Sequence, residues 1–146
     1  MKLRTLFFSL LAALLLAGCD IEPAGYLIDG GDHSLTLERK KPYPWSSGWE
    51  LDLVVSRFPD CQRRYPMKKS GEKLRVDLYR VQPGVFILNQ ASRWYVAETK
   101  ECRLQQFDEE PPLPGEYVGA FRVKNGVFGF VPSEEEKNGK TKTSTE

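Results

Sequence analysis

The sequence predicts an all-β protein, a small antiparallel meander that forms a barrel or a sandwich of about eight strands. Apolar and polar residues alternate in several short stretches between residues 34 and 132, and these stretches are rich in branched and aromatic side chains. Alternation with a period of two is typical of strands that bury one face. Turn sequences separate the stretches, and no segment beyond residue 18 shows a helical period.

The first three predicted strands alternate clearly. In the second of them, Leu51 and Leu53 alternate with acidic residues, and Trp49 is expected to enter the core. Every second side chain of a strand lies on the same face, so the two leucines share a buried face. These strands lie at residues 35–37, 49–55 and 74–78.

The five later strands are bounded by turn signals. Pro83-Gly84 precedes a short apolar run, and Asn125-Gly126 lies between the last two alternating stretches. An Asn-Gly pair in that position is the strongest short signal for a hairpin. Close sequential connections of this kind favour a meander. The five strands lie at residues 85–88, 93–99, 102–107, 117–123 and 127–131.

Residues 1–18 have the order of an export signal. A start with two basic residues is followed by an apolar run from Leu6 to Ala17. That run is about 12 residues long and matches the apolar region of a secretory signal, whereas a transmembrane helix needs about 20 residues. A plain secretory signal, cut after an A-x-A-like pattern, is the alternative, but Leu16 fits that pattern less well.

The stretch Leu16-Ala17-Gly18-Cys19 resembles the lipobox of bacterial lipoproteins. The resemblance implies cleavage before Cys19, a diacylglycerol on its thiol, and acylation of the new terminus, commonly with palmitate. The protein would then be held by lipid on the periplasmic side of a cell membrane. Asp20 follows the cysteine and resembles a retention signal, which favours the inner membrane over the outer one.

The mature chain is predicted to begin with an acylated, flexible tether at residues 19–33. Pro23 and the glycines that follow it break regular structure, and the segment is mildly acidic. The β-domain then covers residues 34–132. Residues 133–146 contain no apolar side chain, and an acidic block precedes scattered lysines. This composition predicts a disordered tail.

Two cysteines, Cys61 and Cys102, remain when Cys19 carries lipid. Export places them in an oxidising compartment, where such a pair usually forms a disulfide. A redox or metal pair is the alternative. The wide spacing, the absence of a C-x-x-C motif and the lack of histidine partners argue against it. We expect no metal and no cofactor other than the covalent lipid.

The charge of the chain is balanced, with 21 Lys and Arg against 20 Asp and Glu. No general field attracts nucleic acid, so we expect no nucleic-acid partner. One segment, residues 57–75, is strongly basic and is predicted to be a loop that binds anionic lipid, a glycan or an acidic envelope protein. The alternative is a solvated hairpin loop, partly neutralised by the acidic residues 108–110. The candidate binding residues are Arg57, Arg63, Arg64, Lys68, Lys69 and Lys73.

Trp45 is a second candidate for binding. Prolines on either side of Tyr43 make the connection that holds Trp45 extended. An exposed aromatic side chain there suits a sugar ring, a peptide or a partner surface. The alternative is that Trp45 folds back and caps one end of the domain.

The catalytic inventory is small. His33 is the only histidine and lies at the end of the predicted tether, and no nucleophile-elbow, zinc-protease or phosphate-loop motif is present. We therefore predict a non-enzymatic envelope lipoprotein that binds a partner or assists an assembly. Membrane-bound lysozyme inhibitors are similar in being small, disulfide-bonded β-barrel lipoproteins, so an inhibitor of an envelope-targeting enzyme is the alternative. A hydrolase that uses two carboxylates is the less favoured one.

Overall fold

The computed structural model describes residues 20–136 and shows a sandwich of two antiparallel sheets. The predicted all-β class is confirmed, as a sandwich and not as a closed barrel. All eight predicted strands are present, and two more raise the number in the described residues to ten. The strands are β1 (Asp20–Asp29), β2 (His33–Lys41), β3 (Trp49–Arg57), β4 (Cys61–Ser70), β5 (Arg75–Gln82), β6 (Val85–Gln90), β7 (Arg93–Glu98), β8 (Arg103–Phe107), β9 (Glu116–Lys124) and β10 (Val127–Pro132).

The first sheet is a simple meander in the order β1-β2-β3-β4. Its inner face follows the alternation seen in the sequence, because Leu37 lies opposite Leu53 in the ladder between β2 and β3. Trp49, at the start of β3, is 4% exposed, as predicted.

The second sheet departs from a meander and has the order β10-β9-β5-β6-β7-β8. Strands β5 to β8 follow one another, but the next connection returns across the sheet, so that β9 pairs with β5. The proline-rich residues 108–115 make this connection. The sequence predicted the strands on both sides of it but not the order in which they pair.

The core lies between the two sheets and consists of aliphatic and aromatic side chains. Burial of these side chains is the main force that holds such a sandwich together. The side chains with no exposed surface include Leu35, Leu37, Leu53, Val55, Val76, Leu78, Leu88 and Phe121.

Contacts between the sheets close both open sides of the sandwich. On one side β1 contacts β10, and the rings of Tyr26 and Phe130 lie 4.9 Å apart. On the other side a disulfide joins Cys61 to Cys102, with 6.0 Å between their Cα atoms. The predicted disulfide is therefore confirmed. It links β4 to the residue before β8, and the Tyr65 hydroxyl donates a hydrogen bond to the Cys102 carbonyl nearby.

The predicted flexible tether is wrong for residues 20–29, because these residues form β1. They pair with β2 along nearly the whole strand, from Asp20 opposite Lys41 to Asp29 opposite His33. Ala24 of β1 is 4% exposed and belongs to the core. The β-domain therefore includes residues 20–29 and does not start at residue 34.

The predicted disordered tail is wrong for its first four residues. Residues 133–136 form one helical turn, and the carboxylate of Glu136 pairs with Arg75 and Arg122 of the second sheet. The rest of the predicted tail, like the predicted signal peptide and Cys19, lies outside the described residues. Within residues 20–136, no helix has the length and apolar character needed to cross a membrane.

Candidate functional site

The two ends of the sandwich differ. At the N-terminal end, Asp20 faces Lys41, and at the distal end, Asp29 faces His33. Because β1 contains 10 residues, these ends are about 30 Å apart at the usual rise of a strand.

A cleft of about 900 Å³ opens at the distal end between the two sheets. It receives the end of β1, the start of β2 and the end of β3 from the first sheet. The second sheet contributes the turn between β5 and β6 and the start of β9. Cavities of this size, with an apolar lining and a few polar groups, are where proteins usually bind small ligands or the side chains of a partner.

The floor of the distal cleft is apolar. Tyr26, Ile28 and Phe86 line it. The rings of Tyr26 and Phe86 pack edge to face with their centres 5.7 Å apart, and Phe86 is 1% exposed. The floor of the cleft is therefore continuous with the hydrophobic core and presents a well-packed apolar surface to a ligand.

The rim of the distal cleft carries both signs of charge. Arg57 and His33 lie on the side of the first sheet, and Arg80 and Glu116 on the side of the second. Arg80 donates a hydrogen bond to the Glu116 carboxylate at 2.5 Å, whereas the nearest recorded contact of Arg57 with a carboxylate is 3.7 Å, to Asp60. The guanidinium of Arg57 is therefore paired less closely with a carboxylate than the guanidinium of Arg80.

His33, which was predicted to lie at the end of a flexible tether, is held in place. Its Nε2 shares a hydrogen bond of 2.8 Å with the hydroxyl of Thr99, which is fully buried. Burial lowers the pKa of the imidazole below its ordinary value, the charge of Arg57 lowers it further, and Asp29 opposes both. The imidazole is therefore neutral at pH 7.

Two glycines shape the wall of the distal cleft. Gly84 has a positive φ of 77°, and a Cβ there would lie 3.0 Å from the Thr99 hydroxyl. Gly115 has a φ of 102°, and a Cβ there would lie 2.4 Å from the carbonyl oxygen of Arg80. At both positions the backbone lies so close to neighbouring atoms that a side chain would collide with them. Glycine at these positions therefore lets the β5–β6 turn and the start of β9 form the wall of the cleft.

The distal cleft has two carboxylates in its lining, Asp29 and Glu116, and both are exposed. Among residues 20–136 there is no cluster of three or more side chains suited to a metal ion.

Most of the basic segment, residues 61–70 of 57–75, is a strand and not the predicted loop. Residues 61–70 form β4, which lies at the edge of the first sheet and pairs with β3. Its polar side chains are exposed, while Met67 faces the core. The charges are therefore arranged along a sheet edge and not gathered at the tip of a loop.

Carboxylates on neighbouring strands neutralise much of the basic segment. Arg64 forms an ion pair with Glu38 and lies 3.5 Å from Asp52, and Lys69 lies 3.1 Å from Glu50. These acidic partners sit on β2 and β3, not in residues 108–110. Within the part of the chain that the structure describes, Arg63, Lys68 and Lys73 form no ion pair.

Trp45 is exposed, as predicted. Its side chain is 81% exposed and stacks on Tyr43, with the ring centres 5.5 Å apart and the planes 9° from parallel. The pair lies in the connection between β2 and β3 at the N-terminal end, so it is remote from the distal cleft. A binding role for Trp45 stays a prediction.

No protein-family model matches this chain, and neither a curated protein nor a solved structure is similar to it.

Most of the distal cleft was not predicted from the sequence. Tyr26 and Ile28 lie within the predicted tether, and no sequence pattern indicated Arg80 or Glu116. One signal was available, because the apolar residues Ala24, Tyr26 and Ile28 alternate as they do in a strand. The distal cleft combines residues from well-separated parts of the chain, and no short stretch of sequence predicts this combination.

Proposed function

We propose that this protein is a membrane-anchored envelope lipoprotein whose sandwich is a non-enzymatic binding module. The observation that carries the proposal is the placement of its two ends. β1 begins at Asp20, next to the lipidation candidate Cys19, and the cleft opens at the opposite end. An anchor at one end would leave the cleft facing away from the lipid.

The lining of the distal cleft indicates the chemistry of the partner. The apolar floor suits an apolar side chain, and Arg57 at the rim suits a carboxylate beside it. We therefore infer that the partner is an envelope protein that inserts an acidic segment with an apolar residue into the cleft.

Lipid labelling tests the anchor. The wild-type chain, expressed in a bacterial host, is expected to incorporate a labelled fatty acid and to stay in the membrane after a high-salt wash. Cys19→Ala is expected to lose the label and to be released. A wild-type chain that takes up no labelled fatty acid, or a Cys19→Ala chain that still takes it up, would contradict the anchor.

Site-directed crosslinking tests the distal cleft. A photoreactive side chain at Val81, which is 47% exposed in the cleft lining, is expected to crosslink to one envelope protein. The same group at Val127, which is 69% exposed at the N-terminal end, is the matched control. Arg57→Glu should abolish the Val81 product. Equal products from both positions, or a product that survives Arg57→Glu, would contradict the proposal.

A further inference from the structure

The N-terminal end of the sandwich presents several large apolar side chains to solvent. Ile21 is 53% exposed, Tyr43 57%, Trp45 81% and Val127 69%. Isolated exposed apolar residues are common, but a group of them at one end of a small domain marks an interaction surface.

The strand register places these residues together. Ile21 lies opposite Lys40, and Asp20 lies opposite Lys41, two residues before Tyr43. Val127 precedes Phe128, whose ring lies 4.9 Å from the guanidinium of Arg39 on β2. All four side chains therefore belong to the end of the sandwich at which β1 begins.

The aromatic pair is held in a defined turn. Ser46 donates a backbone hydrogen bond to the Tyr43 carbonyl at 3.0 Å. The Tyr43 amide donates in return to the Ser46 hydroxyl at 3.2 Å. The turn therefore holds the stacked rings of Tyr43 and Trp45 in a fixed arrangement, which we call the aromatic plate. Tryptophan and tyrosine rings of this kind are enriched at the boundary between lipid tails and water.

Basic side chains lie at the same end. Lys68 and Lys73 flank the end of β4, where Ser70 is opposite Trp49, and they line a shallow depression of about 290 Å³. No carboxylate among the described residues pairs with either lysine. Their charges are available to lipid phosphates, which attract lysines close to a membrane surface.

We propose that this end, with Tyr43 and Trp45 at the lipid boundary and Lys68 and Lys73 near the headgroups, docks directly on the membrane. The proposal rests on the proposed function, since an acylated Cys19 would lie one residue from Asp20. Consecutive Cα atoms are about 3.8 Å apart, so no tether separates the acyl chains from this end. The aromatic plate and the lysines then act as a second attachment that fixes the orientation of the domain.

Fluorescence quenching tests the position of the aromatic plate. The lipidated protein is placed in vesicles of phosphatidylethanolamine and phosphatidylglycerol whose acyl chains carry bromine. Trp49 and Trp94 are 4% and 8% exposed, so Trp45 is the tryptophan expected to be quenched. Trp45→Phe should remove the quenchable emission. Wild-type emission that brominated lipid leaves unchanged would overturn the proposal.

Flotation of the unlipidated Cys19→Ala chain tests the attachment without the anchor. Tyr43→Ser with Trp45→Ser is expected to weaken binding to the same vesicles about ten-fold, as the loss of apolar contact predicts. Phe58→Ser, at a side chain that is 52% exposed at the distal end, is the matched control and should leave binding unchanged. An equal effect of both changes would overturn the proposal.

Vesicle charge tests the role of the lysines. Lys68→Gln with Lys73→Gln should weaken flotation with anionic vesicles and leave binding to phosphatidylcholine vesicles unchanged, whereas Lys100→Gln at the distal end should change neither. Binding to peptidoglycan through Trp45 without binding to vesicles would overturn the proposal.

The outcomes for the anchor and for the surface are separable. If Cys19 incorporates no fatty acid, the anchor fails while flotation of the unlipidated chain still decides the surface. If Cys19 is acylated and Trp45 is not quenched, the anchor stands and the docking surface is wrong.

Discussion

Arg39 donates hydrogen bonds from Nε and Nη2 to one carboxylate oxygen of Glu22, at 2.8 and 2.6 Å. The Arg39 side chain is only 5% exposed, and its guanidinium lies between the rings of Trp49 and Phe128. Its Nη1 has no partner among the described residues. This ion pair ties β1 to β2, and the guanidinium reaches the second sheet, at the end where the chain enters from Cys19.

Replacing Glu22 with Gln should destabilise the domain. The change leaves the buried guanidinium of Arg39 without its counter-charge, and we expect the free energy of unfolding to fall by about 1–3 kcal/mol. Urea unfolding at neutral pH measures the loss. Glu109→Gln, in the exposed connection before β9, is the control, and equal losses in the two variants would contradict this account.

The two strands that the sequence analysis missed are the two edges of one sheet. β1 contains Pro23, which predicted irregular chain, and β4 contains Pro66. An edge strand tolerates proline because one row of its amide groups faces away from the ladder. β4 also buries little and carries many basic residues, a composition typical of exposed edges. The predicted strands other than β8 bury more apolar surface, which is why their alternation is visible in the sequence.

The local sequence pattern identified single residues of interest, but not the distal cleft. Cys61 and Cys102 were paired correctly because only one pairing was available, and Trp45 was recognised as exposed. The distal cleft, in contrast, depends on the pairing of β5 with β9 and on the contact between β1 and β10. Such long-range order follows from the packing of whole strands, so no short stretch of sequence encodes it.

The disulfide should contribute strongly to stability. It closes a loop with a sequence separation of 41 residues, which corresponds to about 4 kcal/mol in the chain-entropy model. In a Cys19→Ala background, Cys61→Ala with Cys102→Ala should lower the urea midpoint, and reductant should lower that of the parent to a similar value. Reductant should not affect the double variant. If reductant leaves the urea midpoint of the parent unchanged, the disulfide does not contribute to stability in this way.

His33 should make stability depend on pH near neutrality. Burial and the charge of Arg57 lower the folded pKa of its imidazole below its ordinary value of 6.5, so the unfolded chain binds a proton more readily than the folded one. The contribution of His33 is then complete above that value and declines as the pH falls through 6.5 towards the folded pKa.

Replacing His33 with Gln tests this dependence. The variant keeps a side chain able to hydrogen-bond to Thr99, and its loss of stability between about pH 7 and pH 5 should be shallower than that of the wild type. Urea unfolding across this interval measures the slope. Parallel curves for the two proteins would show that the imidazole does not titrate differently in the folded state.

Glu136 should fasten the C-terminal turn to the second sheet. Its side chain is 14% exposed and pairs with Arg75 and Arg122, each at 3.1 Å, and it accepts a hydrogen bond from the Tyr117 hydroxyl at 2.8 Å. Burial opposes ionisation of this carboxyl group. The hydrogen bonds from Tyr117 and Arg75 outweigh burial, so the pKa of Glu136 lies below its ordinary value.

Glu136→Gln should therefore destabilise the protein by about 1–2 kcal/mol at neutral pH, where the carboxylate is charged. A carboxyl group with a lowered pKa stabilises the folded state above its unfolded pKa, and the effect disappears as the pH falls through the folded value. The two proteins should thus converge in acid. Glu135→Gln is the matched control, because Glu135 is 58% exposed and forms its one ion pair within residues 20–136 with Lys124. If Glu135→Gln costs as much as Glu136→Gln at neutral pH, the turn is held by general charge attraction and not by the Glu136 contacts.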